Sequence, residues 1–248
     1  MTASMHPPLR RSRLRFWIAL GACLVGIAIL CALGTWQVER LHWKQALIQQ
    51  IAERTHSEPE PLAEIEQIFA STRDVEYWPV DVSGRFQPGA ERYFFSTFNG
   101  DSGWNVYAPL VLADGRRLFV NRGFVPYDLK DPSTRPPVSE GDVEFAGLAR
   151  NPVAGKPDSW MPDNDLKANV FFWKSLPEMA AGLPPGGEFL PFFVDAGPTP
   201  KSAGYPVGGT TIVEIPNNHL QYAVTWFGLA LALAAMLVAF LWKSRRRA

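Results

Sequence analysis

Two long uncharged runs constrain this chain more than any other feature of its sequence. Residues 16–38 and 220–242 contain no Asp, Glu, Lys or Arg. Each run is a little longer than the roughly 20 apolar residues that a helix needs to cross a bilayer. The sequence therefore predicts an α+β membrane protein whose two transmembrane helices, 16–38 and 220–242, flank a folded domain. The first run is also longer than the core of a cleaved signal, about 7–15 residues, so we expect it to be retained as an anchor.

The charged residues divide sharply between the ends and the middle. Eight of the 24 Lys and Arg residues lie in the two tails, whereas all 24 Asp and Glu residues lie between the two runs. The positive-inside rule then places the basic tails, 1–15 and 243–248, in the cytoplasm. It places the domain 39–219 in the periplasm of a bacterial inner membrane, with the mitochondrial inner membrane as the alternative. The acidic domain argues against a nucleic-acid partner, and we expect residues 1–15 to be disordered.

Between the runs the sequence patterns predict a strand-rich domain. Alternating or clustered apolar residues bounded by turn residues predict strands at 80–86, 93–98, 104–112, 116–125, 142–149, 171–174, 189–194 and 210–215. Short helices are predicted at about 62–73 and after Ser175, and Asp114-Gly115 is typical of a hairpin turn. We expect an antiparallel, barrel-like domain with Trp160 tethering the segment 151–169. The first helix should continue to about Arg54, and the two spans should be neighbours because both ends of the domain enter the membrane.

Patterns typical of catalysis or metal binding are absent from the sequence. There is no His-Glu-x-x-His, Cys-x-x-Cys, P-loop or helix-opening Gly-x-Gly-x-x-Gly pattern. Gly100-Asp101-Ser102-Gly103 lacks the context of a serine nucleophile and is interpreted as a hairpin turn, and Asp163-Asn164-Asp165 as a turn. Cys23 and Cys31, eight residues apart on one helix, would be separated by about 12 Å and could not form a disulfide. We therefore predict a protein that is not an enzyme.

The polar-to-apolar boundary at 217–226 contains the first candidate site. At about 100° per residue, His219, Tyr222 and Trp226 fall on one helical face, with Ala223 and Ala230 beside them. One interpretation is an interfacial aromatic belt capped by a histidine, against which a neighbouring helix packs on the alanines. The other is an axial ligand for a planar, apolar and anionic-tailed molecule such as a haem.

The end of the first helix carries a second candidate site. Four residues share one helical stripe at spacings of four, seven and eleven: Trp36, Arg40, Trp43 and Leu47. Arg40 between two indoles is typical of an interfacial anchor. The functional interpretation is that Arg40 or Lys44 receives the propionates of a bound haem.

The segment 121–126 is the most distinctive part of the domain. Arg122 could pair with an acidic neighbour beside a bulge at Gly123. Alternatively, its guanidinium could bind a carboxylate of a ligand or partner in a bidentate manner.

These segments together resemble the Surfeit locus protein 1 family, the Shy-type assembly factors of cytochrome c oxidase. Residues 33–44, Leu-Gly-Thr-Trp-Gln-Val-Glu-Arg-Leu-His-Trp-Lys, are similar to the family pattern Leu-Gly-x-Trp-Gln-x-x-Arg-x-x-Trp-Lys. Further similar signatures are Gly84-Arg85-Phe86, residues 121–126, and Asn217-Asn218-His219 followed by Tyr222, Ala223, Thr225 and Trp226. Phe124 stands where many relatives carry Trp.

The resemblance implies a role in building haem–copper oxidases, either by handling haem a for the catalytic subunit or by stabilising that subunit. It implies that His219 binds the iron of haem a. On this hypothesis the macrocycle is walled by Tyr222, Trp226 and Trp36, and its propionates are held by Arg40, Lys44 or Arg122. His42, at a variable position of the pattern, is an open candidate for a second ligand.

The partners that the resemblance implies are the catalytic subunit of cytochrome c oxidase and membrane lipid, with haem a synthase as a further candidate. The alternative function is a membrane scaffold that stabilises the nascent catalytic subunit without binding haem.

Overall fold

Helices at both ends of the chain enclose a block of strands in the sequence. The computed structural model describes residues 9–137, 141–199, 204–211 and 215–246. Its helices are α1 (Leu9–Thr55), α2 (Leu62–Thr72), α3 (Leu176–Ala180) and α4 (His219–Arg245). Its strands are β1 (Glu60–Pro61), β2 (Pro79–Phe86), β3 (Arg92–Phe98), β4 (Asp101–Val111), β5 (Arg117–Pro126), β6 (Asp142–Arg150), β7 (Val170–Phe171) and β8 (Phe189–Ala196). The two predicted short helices and six of the predicted strands are confirmed to within a few residues.

The chain divides into two units. One unit comprises Met1–Gln50 and Glu214–Ala248, and the other comprises Ile51–Val213. The first unit, the helix pair, contains α4 and all of α1 except its last turn. The second unit, the strand domain, contains every strand together with α2 and α3.

Both long helices have the length and composition needed to cross a membrane, in agreement with the two predicted spans. α1 ends at Thr55, one residue beyond the predicted end at Arg54. The prediction of disorder is wrong for residues 9–15, which form the first turns of α1, whereas residues 1–8 lie outside the described part. Leu and Arg favour helices, and the last proline before this stretch is Pro8, so the helix is free to begin at Leu9.

The strands form one eight-stranded sheet in the order β1-β2-β6-β8-β5-β4-β3-β7, and β2 also pairs with β4. The sheet is mixed rather than antiparallel as predicted, because β1 with β2, β3 with β7, and β5 with β8 run parallel. The sequence reveals hairpins between consecutive strands, but it gives no local signal for a strand that returns from a distant segment. The β-rich domain is thus confirmed, and its closure into a barrel stays a prediction.

Three hydrophobic clusters form the core of the strand domain, and the central strands contribute to two of them on opposite faces. Alternate residues of β5 divide between these two: Leu118 and Val120 belong to the cluster beneath α2, and Phe119 to the cluster beneath α3. Phe192 and Phe193 of β8 divide in the same way. Since successive side chains of a strand point to opposite faces, both faces of the central strands are buried. This accounts for the consecutive apolar residues 118–120 of β5 and 192–194 of β8.

Three local predictions need correction. Trp160 is 79% exposed and therefore tethers nothing in its unit. The strand predicted at 171–174 is limited to Val170–Phe171, because its strand partner, β3, meets it over only two residue pairs. The strand predicted at 210–215 includes residues 212–214, which lie outside the described part, and Thr210 and Thr211 are not in a strand.

Candidate functional site

The two helices of the helix pair contact each other along their length. At one end Phe16 stacks on Phe240 with ring centroids 5.7 Å apart. Further along, a Cβ atom built on Gly34 would lie only 2.8 Å from the ring of Phe227, so the missing side chain lets that ring pack against the α1 backbone. The prediction that the two spans are neighbours is confirmed.

His219, the first residue of α4, makes a polar contact inside this apolar pair. Its Nδ1 atom lies 2.7 Å from Oε1 of Gln37 on α1. Gln37 is 8% exposed and is the most buried polar side chain of the helix pair in the part that the structure describes. The imidazole is partly buried. His219 is therefore held against the first helix by a single short hydrogen bond.

The other residues of the predicted α4 stripe lie around this histidine. Ala223 and Ala230 are buried, which agrees with the expected floor against which a neighbouring helix packs. Trp226 is partly buried on the same side of α4 as His219, and Tyr222 is 55% exposed about 60° away. The stripe thus begins at the interface with α1 and extends onto the outer surface of α4.

The α1 stripe formed by Trp36, Arg40, Trp43 and Leu47 lies about a quarter turn around the helix from Gln37. The Arg40 guanidinium lies over the ring of Trp43, 4.0 Å from the centroid, and both Trp36 and Trp43 are about half exposed. Lys44 shares the Gln37 face two turns further on and is partly buried. The structure brings Gln37, rather than Arg40, into contact with His219.

His42 lies on another side of α1. It is exposed and is about 140° around the helix from Gln37. Within the helix pair, the faces that carry His42 and His219 therefore do not converge.

Arg122 belongs to the strand domain, where both expected local features occur. Arg122 and Gly123 together oppose the single residue Val106, which is a β-bulge in the β4–β5 ladder. The Arg122 Nη1 atom donates a 3.0 Å hydrogen bond to Oε1 of Glu91. Arg122 also lines a cleft of about 660 Å³ together with Phe86 and Tyr205. The acidic partner is confirmed.

Glu91 is the centre of a buried charge cluster in the strand domain. Its carboxylate accepts hydrogen bonds from Arg122, from both terminal nitrogens of Arg135, and from the Tyr93 hydroxyl at 2.9 Å. Burial lowers the pKa of Arg122. For Arg135 burial acts in the same direction, but the hydrogen bonds and charge of Glu91 outweigh it and raise the pKa. For Arg122 the opposing attraction of Glu91 does not outweigh burial, and the nearby positive charge of Arg135 lowers its pKa further.

The described residues show no metal-binding cluster. They contain no group of three or more His, Cys, Asp or Glu side chains that could hold a metal ion. Ser102 lies within β4, and the hairpin turn is formed by Asn99 and Gly100, so the predicted turn is displaced by one to two residues. Asp165 accepts hydrogen bonds from the backbone of Lys167 and Ala168, which confirms a turn in that segment.

Sequence reasoning missed two residues that organise these regions. Gln37 could have been noticed as an amide within an otherwise uncharged apolar run, but its partner is 182 positions away. Glu91 gave no local signal because its main partner, Arg135, lies 44 positions later in an irregular segment. Predicting either residue requires knowledge of which distant segments of the chain are in contact.

The chain is similar to proteins of one family. Residues 24–231 match the family model described as the SURF1 family. Surfeit locus protein 1 of Gallus gallus is 34% identical over 244 residues, covering 91% of this chain and 74% of that protein. The Takifugu rubripes protein of the same name is 35% identical, covering 82% of this chain and 89% of its own length. The Homo sapiens protein of the same name is 35% identical, covering 85% of this chain and 71% of that protein.

Proposed function

Since the chain belongs to the SURF1 family, we propose that it is an assembly factor for haem–copper oxidase. In this proposal it binds haem a transiently and promotes the insertion of haem a into the catalytic subunit, or its stabilisation there. The proposal rests on family membership and on the helix pair, where an imidazole is held at the polar-to-apolar boundary. It is a binding function without catalysis.

The single observation that carries haem binding is the placement of His219. Neutral imidazole is a common axial ligand of haem iron. The Nδ1 atom of His219 is occupied by Gln37, which leaves Nε2 as the nitrogen with a free lone pair. The imidazole therefore fits haem iron as a donor, and His219 is the residue that would hold the iron through Nε2. Bound haem a would supply the metal and the planar ring that the oxidase requires.

The surrounding residues have proposed roles that follow from their faces. Tyr222 and Trp226 lie on or near the His219 side of α4 and would contact the macrocycle. Arg40 and Lys44 are the cations of α1 closest in sequence to Gln37, and they would pair with propionates.

Two residues on other surfaces have further proposed roles. Trp36 is on the exposed face of α1 and would contact the ring edge. Arg122 belongs to the strand domain, and its proposed role is to bind a carboxylate, either a propionate or an acidic group of the partner subunit.

The proposed location is the bacterial inner membrane with both termini in the cytoplasm and the strand domain in the periplasm. The two apolar helices and the basic tails support this arrangement. The mitochondrial inner membrane is the alternative. The proposed partner is the catalytic subunit of cytochrome c oxidase. Haem a synthase is a candidate donor of haem a, and membrane lipid would surround the helix pair.

The test is the absorption spectrum of the full chain purified in detergent after co-expression with the enzymes that make haem a. We expect the wild-type protein to carry haem a and His219→Ala to lose most of it. His56→Ala is the matched control, because His56 is an exposed histidine outside the helix pair. Unchanged haem a content in His219→Ala would contradict the proposal.

A second candidate function is a scaffold that stabilises the nascent catalytic subunit without binding haem. It is favoured by the His219–Gln37 hydrogen bond itself, since each of the two side chains has a partner within the helix pair without a ligand. Spectrally silent protein that still co-purifies with oxidase assembly intermediates would support this function over the first.

A further inference from the structure

Gln37 occupies an unusual position for an amide. It lies within a run of 23 residues without any charge, and it is 8% exposed in the helix pair. Burying an amide in an apolar environment without a hydrogen bond costs roughly 2–7 kcal/mol. A polar side chain retained in a membrane helix therefore generally has a specific partner and a functional role.

The partner of this amide is one particular atom of His219. Oε1 of Gln37 lies 2.7 Å from Nδ1, a distance typical of a good hydrogen bond. A carbonyl oxygen can only accept, so Nδ1 must carry the proton. In a neutral imidazole the lone pair then resides on Nε2, the ring nitrogen that Gln37 does not contact.

We propose that Gln37 is a positioning residue that fixes His219 in the Nδ1-protonated tautomer and directs Nε2 away from α1 for ligation. The tautomer can be tested without any ligand, whereas its use in iron binding rests on the proposed function. Partners of this kind on ligating histidines fix the ring orientation and raise the basicity of the ligating nitrogen.

The chemical nature of the partner suits a protein that later releases its ligand. A carboxylate would withdraw the Nδ1 proton more strongly and make Nε2 a more basic, tighter ligand. The neutral amide orients the ring with a smaller increase in basicity. Gln37 would thus give His219 a defined geometry together with moderate affinity.

The first test uses the ligand-free full chain in detergent. The protein is labelled with ¹⁵N in its four histidine rings, and a two-bond ¹H–¹⁵N correlation spectrum is recorded at about pH 8, where free imidazole is neutral. His219→Ala identifies the signals of His219. We expect a protonated Nδ1 and an unprotonated Nε2 for His219 in the wild-type protein.

The matched variants are Gln37→Met and Gln45→Met. Methionine keeps the length of glutamine but offers no carbonyl acceptor, and Gln45 is an exposed glutamine on the same helix. Gln37→Met should shift His219 towards a mixture of the two tautomers, and Gln45→Met should leave the spectrum unchanged. A protonated Nε2 in the wild-type protein, or a Gln37→Met spectrum identical to that of the wild type, would overturn the inference.

The second test separates this inference from the proposed function by titrating haem a into the same proteins. Loss of an orienting partner typically weakens metal affinity by about 10–100-fold, so we expect a loss of that size in Gln37→Met and none in Gln45→Met. If His219→Ala binds haem a as the wild type does, ligation by His219 is wrong while the tautomer result stands. If His219→Ala loses haem a and Gln37→Met does not, the positioning role of Gln37 is wrong while the proposed function stands.

Discussion

At the scale of single residues, the two organising groups are both polar and both buried. Gln37 is satisfied by one histidine, and Glu91 is satisfied by two arginines and a tyrosine. Helical periodicity alone was sufficient to place His219, Trp226 and the two alanines on adjoining faces. It could not identify Gln37, because a period describes one helix and says nothing about which atom of another helix lies opposite.

Replacing Glu91 by Gln tests the buried charge cluster. The substitution removes the carboxylate that compensates Arg122 and Arg135 and leaves two buried guanidinium groups facing each other. Removing one partner of a buried ion pair typically costs about 3–5 kcal/mol, so we expect a loss of stability of that order. Chemical denaturation of the full chain in detergent measures it. Glu144→Gln, an exposed carboxylate on β6, is the control and should change stability by less than about 0.5 kcal/mol.

Asp74 should make the stability of the strand domain depend on pH. Burial raises the pKa of Asp74, but hydrogen bonds from Arg54, Asn151 and the Glu76 backbone outweigh this and lower it below the ordinary value of 3.8. A lowered folded pKa gives stability that is present above the unfolded pKa and is lost as the pH falls through the folded value. The wild-type protein should therefore be more stable than the Asp74→Asn variant at pH 7, and this difference in stability should shrink below about pH 4.

The measurement is a series of denaturation curves for both proteins between neutral and acidic pH. Arg54→Met provides the control, since it removes one of the hydrogen bonds that lower the pKa of Asp74 and should weaken the pH dependence. A stability difference between wild type and Asp74→Asn that stays constant across the range would contradict the assignment.

At the scale of elements, the helix pair and the sheet differ in how well local sequence predicts them. Consecutive strands such as β4 and β5 were found because a turn signal lies directly between them. The position of β8 in the sheet could not be predicted, since β8 pairs with β5 and β6 across long intervening segments. The helices were found from length and lack of charge alone, but their contact at Gly34 depends on the shape of Phe227.

Gly34→Leu should disrupt the pairing of α1 with α4. Its side chain would occupy the space now filled by the Phe227 ring, and overpacking of this kind typically costs about 1–3 kcal/mol. Cross-linking of cysteines introduced at Phe16 and Phe240, with Cys23 and Cys31 replaced by Ala, reports the pairing. Gly228→Leu is the control because a side chain at Gly228 would meet nothing within 4 Å.

A compensating change sharpens this experiment. Phe227→Ala reopens the space next to position 34, so the double variant Gly34→Leu with Phe227→Ala should recover much of the lost cross-linking. If Gly34→Leu cross-links as efficiently as the wild type, close packing at Gly34 is not needed for the pairing.

At the scale of the whole molecule, the distribution of charge predicts the orientation in the membrane. Both tails are basic and free of acidic residues, so both should stay in the cytoplasm. In a variant with Cys23 and Cys31 replaced by Ala, a cysteine at the exposed position Trp160 should react with a membrane-impermeant maleimide added to the periplasm. A cysteine at Ser244 should react only after the inner membrane is disrupted. The reverse labelling pattern would contradict the proposed topology.

The place of β8 in the sheet has a consequence for biosynthesis. In the described part of the chain β8 is the last strand to be synthesised, yet it lies between β5 and β6 near the middle of the sheet. The backbone hydrogen bonds of β5 and β6 to β8 therefore cannot form until residues 189–196 have been synthesised. Such late, non-local strand pairing slows folding and leaves the edges of the earlier strands unpaired in the meantime. During synthesis the strand edges that will later pair with β8 are exposed, and we expect holdase chaperones to bind them.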